Sequence, residues 1–135
     1  MKTRSESLTE LRPIISGARV TVSTSTEESF QNKTLRPIAK FQNDIILEIF
    51  KDYIKKRKDV YHTLSHPKQV DYIEHAVKHD AKLRNVIKGV FIGHFTLQEY
   101  FTYQEDSRAL NKRITNLTIE RIKSQMQYFD KAFAN

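Results

Sequence analysis

The sequence of 135 residues contains no cysteine, which excludes disulfide bonds and thiolate metal sites and fits a reducing compartment. It also lacks a glycine-rich loop of the kind that holds phosphates, and it has almost no stretch in which apolar and polar residues alternate as in a half-buried strand. Its most apolar run, residues 86–95, contains Lys88 and reaches about half of the roughly 20 residues that a membrane span needs. Residues 1–6 lead into polar sequence without the apolar segment of a secretory signal. We therefore expect a soluble, cytoplasmic protein that does not contact a membrane.

The sequence does contain a helical period. Apolar residues return every three or four positions across nearly all of the chain after residue 25, which places them on one side of a helix. The length suits a single domain that can bury a core. We predict an all-α protein in which residues 26–135 form a compact bundle of about five or six helices. Residues 1–25 are predicted to be an irregular N-terminal arm, either flexible or docked through Leu11, Ile14 and Ile15.

Capping residues indicate where the helices begin. A hydroxyl or carboxylate side chain before an apolar run can accept a hydrogen bond from an exposed amide of the first turn. The predicted starts lie at Ser25, Thr34, Ser65, Asp80 and Thr96, and near Arg108. We expect the second helix to run unbroken from Thr34 to about Lys55, and the last one to run unbroken from about Arg108 into the 130s.

The net charge of +7 is concentrated in the middle of the chain, where residues 35–95 hold twelve lysines and arginines against seven aspartates and glutamates. The densest run is Lys55, Lys56, Arg57 and Lys58, directly after the last apolar residue of a predicted helix. Cations at that place interact favourably with the last carbonyls of a helix, typically by ~0.3–1 kcal/mol. The alternative is contact with the phosphates of a nucleic acid, although no aromatic residue interleaves with the run. That alternative would use Arg36, Lys40, Lys55, Lys56, Arg57, Lys58, Lys82, Arg84 and Lys88.

His75 and His79 have the i,i+4 spacing at which two imidazoles can share a metal ion. The helical period places them opposite the apolar residues of their helix, so we expect them to face water. No Glu-x-x-His and no His-Glu-x-x-His occurs in the sequence, which argues against a di-iron site and a zinc protease site. We expect neither a metal site nor a cofactor.

His94 shares the apolar side of a predicted helix with Leu83, Ile87 and Val90. An imidazole in such a place is usually a hydrogen-bonded core residue. The alternative is a pocket for an acyl or other apolar ligand, with His94 as its polar group. The aromatic residues that would line this pocket are Phe91, Phe95, Tyr100, Phe101 and Tyr103.

Gly89 and Gly93 form a G-x-x-x-G pair in the same apolar helix. Each glycine costs about 0.8–1 kcal/mol of helix stability relative to alanine, so a close approach by another helix is a physical reason for its presence. The approaching helix can belong to a second copy of the chain or to the same chain. We favour a dimer seam along Gly89 and Gly93.

Three segments carry a resemblance to a known family: residues 30–38, residues 40–44 and residues 92–100. Across about residues 28–125 the chain resembles a family of short, uncharacterised bacterial proteins that carry automatic names such as glyoxalase or acyl-CoA dehydrogenase family protein. The chain has no predicted strands for a glyoxalase module, and it is too short to include the β-domain that holds a dehydrogenase flavin. The resemblance implies at most a likeness to the helical C-terminal bundle of a dehydrogenase, without its chemistry.

Three functional hypotheses follow from these patterns. The first, which we favour, is a non-catalytic helical interaction module that forms a homodimer, because no nucleophile paired with a base is evident and the apolar faces are broad. The second is a basic protein associated with nucleic acid. The third is a helical pocket for an acyl or other apolar ligand. An active site assembled from distant helices stays open as an alternative, because spatial neighbours cannot be read from spacing.

Overall fold

The computed structural model describes residues 1–15 and 25–134, and within these ranges the chain is helical with no strand. No helix in this part of the chain combines the length and the apolarity that crossing a membrane requires. The predicted all-α bundle is confirmed. A π-helical turn, Gln31–Leu35, joins α2 to α3, and a 3-10 turn, Val60–Thr63, lies between α4 and α5. The α-helices are α1 Arg4–Leu11, α2 Thr26–Phe30, α3 Arg36–Phe41, α4 Asn43–Lys56, α5 His66–His79, α6 Ala81–Ile92, α7 Leu97–Glu105, α8 Ser107–Lys123 and α9 Gln127–Ala134.

Most of the predicted helix starts are correct, and three of them have the expected cap. The Ser25 hydroxyl accepts from the Glu28 amide at 3.1 Å, and the Asp80 carboxylate accepts from the Leu83 amide at 3.0 Å. Thr96 opens α7 with a capping box. These bonds satisfy amides that have no partner inside the helix.

Two predicted long helices are each divided by a break. Thr34 does not cap a helix but lies buried in the π-helical turn, and the helix expected from Thr34 to Lys55 is interrupted at Gln42. The helix expected from Arg108 into the 130s is interrupted after Lys123. At that second break the Ser124 hydroxyl donates to the Arg121 carbonyl at 2.8 Å, and such side-chain bonds compete with the helical ladder.

The two breaks face each other and are joined by side-chain amides. Asn43 donates to Gln125 Oε1 at 2.9 Å, and the Gln125 amide donates back to Asn43 Oδ1 at 2.7 Å. Arg121 also donates to Asn43 Oδ1, at 3.0 Å. The breaks therefore depend on partners about eighty positions apart, which local helix propensity does not encode.

Helices α4 and α6 run side by side in opposite directions. At one end the Tyr53 hydroxyl donates to Asp80 at 3.4 Å and Arg57 donates to Asp80 at 2.6 Å. At the other end the Phe41 and His94 rings lie 5.0 Å apart. Helix α8 packs against α4, α5 and α6 with six buried residues: Leu110, Ile114, Leu117, Thr118, Ile119 and Ile122.

The N-terminal helix α1 docks on the turn between α6 and α7 through two arginines. Arg4 donates to the carbonyls of Phe95 at 2.7 Å and Gly93 at 3.0 Å. Arg12 donates to the carbonyl of His94 at 2.6 Å. These carbonyls follow the last turn of α6, where a cation is electrostatically favoured.

This docking differs from the irregular arm that the sequence predicts for residues 1–25. Residues 4–11 are helical, and the docking contacts come from arginines, whereas Leu11 and Ile14 are 54% and 93% exposed. Ile15 is half-buried beside the α3 and α8 residues that line another cavity. The remainder of the predicted arm, residues 16–24, lies outside the described residues, as does Asn135.

Glu99 on α7 is the anion on which α1 depends. Both of its carboxylate oxygens bind the Arg12 guanidinium, at 2.5 and 2.6 Å, and they also accept from the Thr34 hydroxyl and the Thr96 amide, at 2.9 and 2.8 Å. Burial alone would raise the pKa of Glu99, but the bonds from Arg12, Thr96 and Thr34 outweigh it, and the net pKa is below its ordinary 4.5.

We predict that Glu99→Gln lowers the free energy of unfolding by about 3–5 kcal/mol, because it leaves the Arg12 guanidinium, only 8% exposed, without its countercharge. Urea unfolding at pH 7 measures the loss. The matched control is Glu10→Gln, which breaks the exposed pair between Glu10 of α1 and Lys2 and should change little. Equal effects of the two substitutions would contradict the role of Glu99.

The pair of Arg12 and Glu99 also makes the free energy of unfolding depend on pH. Because the folded-state pKa of Glu99 is lowered, its contribution to stability is present above the unfolded pKa and is lost as pH falls through the folded value. Unfolding measured between pH 7 and pH 3 should therefore show a smaller acid-induced loss in Glu99→Gln than in the wild type.

His94 is buried as the sequence predicts, but two details of the prediction are wrong. Helix α6 ends at Ile92, so His94 follows the helix rather than lying on its apolar side. Its ring packs on Phe41, and neither ring nitrogen has a hydrogen-bond partner on another residue that the structure describes. Burial, followed by the Arg12 charge, lowers the pKa of His94 from its ordinary value. Protonation of this side chain therefore opposes folding.

We predict that His94→Phe raises the free energy of unfolding by about 1 kcal/mol, because it removes two buried nitrogens that have no partner on another residue. The wild type should lose stability as pH falls from 7 through the lowered folded-state pKa of His94, and the variant should lose less. Thermal unfolding at pH 7 and pH 5 measures both effects. His75→Phe at an exposed position is the control and should keep the wild-type slope. A pH slope of His94→Phe equal to that of the wild type would contradict this role of His94.

Candidate functional site

A cavity of about 750 Å³ lies where α5, α6 and α8 meet. Five cationic side chains line it, and none of its lining residues is acidic. We call this cavity the basic cleft. Its cations are Lys78, Arg84, Lys88, Arg108 and Lys112, and its other lining residues are Val77, Asn85, Ile87, Asn111, Ile114, Thr115 and Asn116.

The cations form two rows on facing helices. Arg84 and Lys88 are four positions apart on α6, and Arg108 and Lys112 are four positions apart on α8. Residues with this spacing lie on one face of a helix, about 6 Å apart along its axis. Lys78 adds a cation from the last turn of α5. Two walls of the basic cleft are therefore positive along a full helical turn.

The floor of the basic cleft is apolar and rigid. Val77, Ile87 and Ile114 are its innermost residues, each 2% exposed or less, and they belong to the core. The cationic side chains cannot turn inward to this floor without losing hydration, so they remain at the rim. The result is a concave surface whose rim is charged and whose base is fixed by packing.

Hydrogen bonds orient two polar groups in the cleft. Arg84 donates to the Lys78 carbonyl at 2.8 Å, which ties α6 to the end of α5. The Tyr103 hydroxyl donates to Asn111 Oδ1 at 2.5 Å. Burial raises the pKa of Tyr103, so its proton stays in this bond at neutral pH. Asn111 thus keeps its amide NH₂ as a donor.

None of the five cations of the basic cleft pairs with a carboxylate in the described part of the chain. Elsewhere Lys56 pairs with Asp52 at 2.9 Å and Lys123 pairs with Glu74 at 3.1 Å. Two like charges ~6 Å apart repel by about 0.7 kcal/mol in water, and by more near a low-dielectric floor. A bound anion would relieve this repulsion, so the electrostatics of the cleft favour an anionic ligand.

Residues 55–58, which the sequence offers as phosphate contacts, lie outside the basic cleft. Lys55 and Lys56 form the last turn of α4, as expected for cations near a helix C-terminus. Arg57 binds Asp80 and lies over the Tyr53 ring, 3.7 Å from its centroid. Lys58 has a positive φ of 59° in the turn that follows. Two of these four cations are therefore neutralised within the fold, and none of the four lines the basic cleft.

Other predicted cations divide between surfaces. Arg84 and Lys88 reach the basic cleft, whereas Lys82 lies on the opposite flank of α6, and Arg36 and Lys40 line a different cavity. Sequence reasoning missed the second wall of the cleft, which Arg108 and Lys112 supply. The available signal was their i,i+4 spacing on a polar helix face, but that signal does not reveal which helix lies opposite.

The predicted apolar pocket is divided between the interior and the surface. Phe91, His94, Phe95 and Tyr103 are buried, whereas Tyr100 and Phe101 are 36% and 54% exposed. The structure does bring three of the rings together, with Tyr103 5.6 Å from Phe95 and 6.0 Å from Tyr100. Phe95 and Tyr100 also line a cavity of about 410 Å³ beside the first turn of α1. Four of the six predicted residues are thus core residues.

The predicted glycine and histidine pairs both lie at the surface. Gly89 and Gly93 are exposed, and the Gly93 carbonyl accepts from Arg4. The exposed His75 and His79 rings lie 4.8 Å apart on α5. Within the described ranges no group of three or more side chains is placed to hold a metal ion.

Comparison of the chain with protein-family models, with curated proteins and with solved structures finds no match. The resemblance through residues 30–38, 40–44 and 92–100 therefore stays an expectation. The functional assignment depends on the geometry and charge of the basic cleft.

Proposed function

We propose that the protein is a binding module that holds a phosphate-bearing ligand in the basic cleft. The observation that carries this proposal is the convergence of five unpaired cations from three helices on one cavity without an acidic lining residue. The proposal includes no reaction. It follows the second of the three sequence hypotheses, of whose cations only Arg84 and Lys88 line the basic cleft.

The type of anion follows from the arrangement of the cations. Within each row the two cations lie about 6 Å apart along the helix axis. Two such rows suit a ligand that carries several negative charges, such as linked phosphates, better than a single carboxylate. The amide of Asn111 and the side chains of Asn85, Thr115 and Asn116 add neutral donors for phosphate or sugar oxygens. No aromatic residue lines the cleft, so recognition of bases by stacking is not part of the proposal.

This chemistry has two sources: the backbone of a nucleic acid, or a small polyphosphate compound. The cleft volume of about 750 Å³ is in the range of small-ligand pockets. Its open cationic rim also suits a passing phosphodiester strand. Both kinds of ligand would use the same contacts, so a strand and a small polyphosphate must be compared in one binding assay.

We predict that a fluorescein-labelled oligothymidylate of twelve nucleotides binds the wild-type protein at 50 mM salt, measured by fluorescence anisotropy. Single-strand contacts contribute about −0.7 per phosphate to the slope of log K against log salt. The double variant Lys88→Gln with Lys112→Gln should bind at least tenfold more weakly, with a slope shallower by about 1.4. Inorganic tripolyphosphate is the competitor that represents the small-ligand source.

The matched control is Lys55→Gln with Lys56→Gln, which removes the same charge from the basic run that the sequence singled out. This control should change affinity less than twofold. Tight binding of tripolyphosphate without oligonucleotide binding assigns the cleft to a small ligand. Equal weakening by both double variants, or no binding of either probe at 50 mM salt, would refute the proposal.

A further inference from the structure

A second cavity, of about 570 Å³, lies between α3 and α8. It is separate from the basic cleft, because Lys112 and Arg121 are nine positions, or two and a half helical turns, apart and therefore point to opposite sides of α8. We call this cavity the arginine site. Its charged lining residues are Arg36, Lys40, Glu120 and Arg121, and its other lining residues are Ile15, Ala39, Leu117, Ser124 and Gln125.

The two arginines of this site have no countercharge in the fold. Neither Arg36 nor Arg121 forms an ion pair in the described part of the chain, and Glu120 is exposed and pairs with neither of them. Residues 16–24, which follow Ile15, contain no aspartate or glutamate. None of the chain's carboxylate side chains, all of which lie in the described ranges, therefore neutralises the two arginines.

An asparagine holds each guanidinium in place. Arg36 Nε donates to Asn32 Oδ1 at 3.2 Å, and Arg121 Nη1 donates to Asn43 Oδ1 at 3.0 Å. A guanidinium has five N–H donors in a planar fork. Both terminal nitrogens of Arg36, and Nε and Nη2 of Arg121, therefore keep donors that no described residue accepts. These donors are oriented by the asparagine bonds before any ligand binds.

The fold keeps the two arginines close together although their charges repel. Burial, followed by the charge of Arg36, lowers the pKa of Arg121. Both side chains are half-buried, so their repulsion is screened less than it would be on an open surface. Asn32 lies in the π-helical turn Gln31–Leu35, and such turns are frequent at functional sites. A bound anion would relieve the repulsion and accept from the oriented donors.

The composition of the arginine site indicates the charge and the size of its ligand. Three cations and one carboxylate leave two net positive charges, which suits a dianion. A guanidinium presents parallel N–H donors that match the oxygens of a carboxylate or a phosphate. Ala39 and Leu117, which are 2% and 6% exposed, form an apolar wall that suits the carbon part of a small organic ligand.

We propose that the arginine site binds a small organic dianion, whose oxygens accept from Arg36 and Arg121 together and whose carbon part packs on Ala39 and Leu117. Phosphate monoesters and dicarboxylates share this chemistry. The arginine site is independent of the basic cleft, because it uses different residues and lies on the other side of α8. Binding at one site does not require binding at the other.

Isothermal titration calorimetry with phenyl phosphate and with succinate tests this site. The background is the double variant Lys88→Gln with Lys112→Gln, in which the basic cleft is weakened. At least one of the two probes should bind this background at 50 mM salt, with one ligand per chain. Binding of phenyl phosphate alone assigns the site to phosphate monoesters, and binding of succinate alone assigns it to dicarboxylates.

Changes at the two arginines should weaken binding in that background. Arg36→Gln should weaken it at least tenfold, because it removes one charged fork. Arg121→Lys should also weaken it at least tenfold, because lysine keeps the charge but lacks the planar fork. Lys33→Gln removes an exposed cation from the neighbouring π-helical turn and is the matched control, with a change below twofold. Glu120→Gln should strengthen binding by about threefold, because it removes the one like charge of the site.

Melting temperatures measured without ligand show whether each variant is folded. Arg36→Gln leaves the bonds between Asn43 and Gln125 intact, so it tests the site even where Arg121→Lys destabilises the fold. No binding of either probe at 10 mM would overturn the proposal, as would equal affinities of Arg36→Gln and Lys33→Gln. Full affinity in a folded Arg121→Lys would refute recognition by paired guanidinium groups.

Discussion

The placement of the basic cleft depends on how narrowly helix α6 is buried. Its core contact consists of Leu83, Ile87 and Phe91, spaced four positions apart and 5%, 2% and 0% exposed. Full burial of one such side chain contributes roughly 1.5–3 kcal/mol, so three of them hold the helix firmly between α4 and α8. A stripe this narrow leaves the two flanks of α6 at the surface. One flank carries Arg84 and Lys88 into the basic cleft, and the other carries Lys82 and Val86 into a shallow cavity beside α4.

Polar contacts at both ends fix the position of α6 along its axis. At its start Asp80 caps the helix and binds Arg57, and the pKa of Asp80 is lowered by the Leu83 amide and by the charge of Arg57. At its end the carbonyls of residues 93–95 accept from Arg4 and Arg12. Each contact places a charge where the helix dipole favours it. The N-terminal segment thus holds the end of α6 in place through Arg4 and Arg12. It thereby helps to fix the position of the α6 wall of the basic cleft.

Features that depend on neighbouring residues could be predicted from the sequence, whereas features that depend on distant partners could not. The helical period and the caps at Ser25, Asp80 and Thr96 predicted the fold class and most helix starts, because these signals span about four residues. The break after Lys123 depends on Asn43, which binds Gln125 and Arg121. No local pattern contains such a pair, so both breaks were missed.

The same dependence on distant partners explains why the sequence pointed to residues 55–58 and not to the whole basic cleft. The densest basic run along the chain, residues 55–58, is not the densest basic region in space, because the fold brings Asp52 and Asp80 to two of its members. The basic cleft instead combines α6 with an α8 segment more than twenty positions later. Arg84 and Lys88 were recognised as cations of interest, but their partners Arg108 and Lys112 become visible only when the packing of α6 on α8 is known.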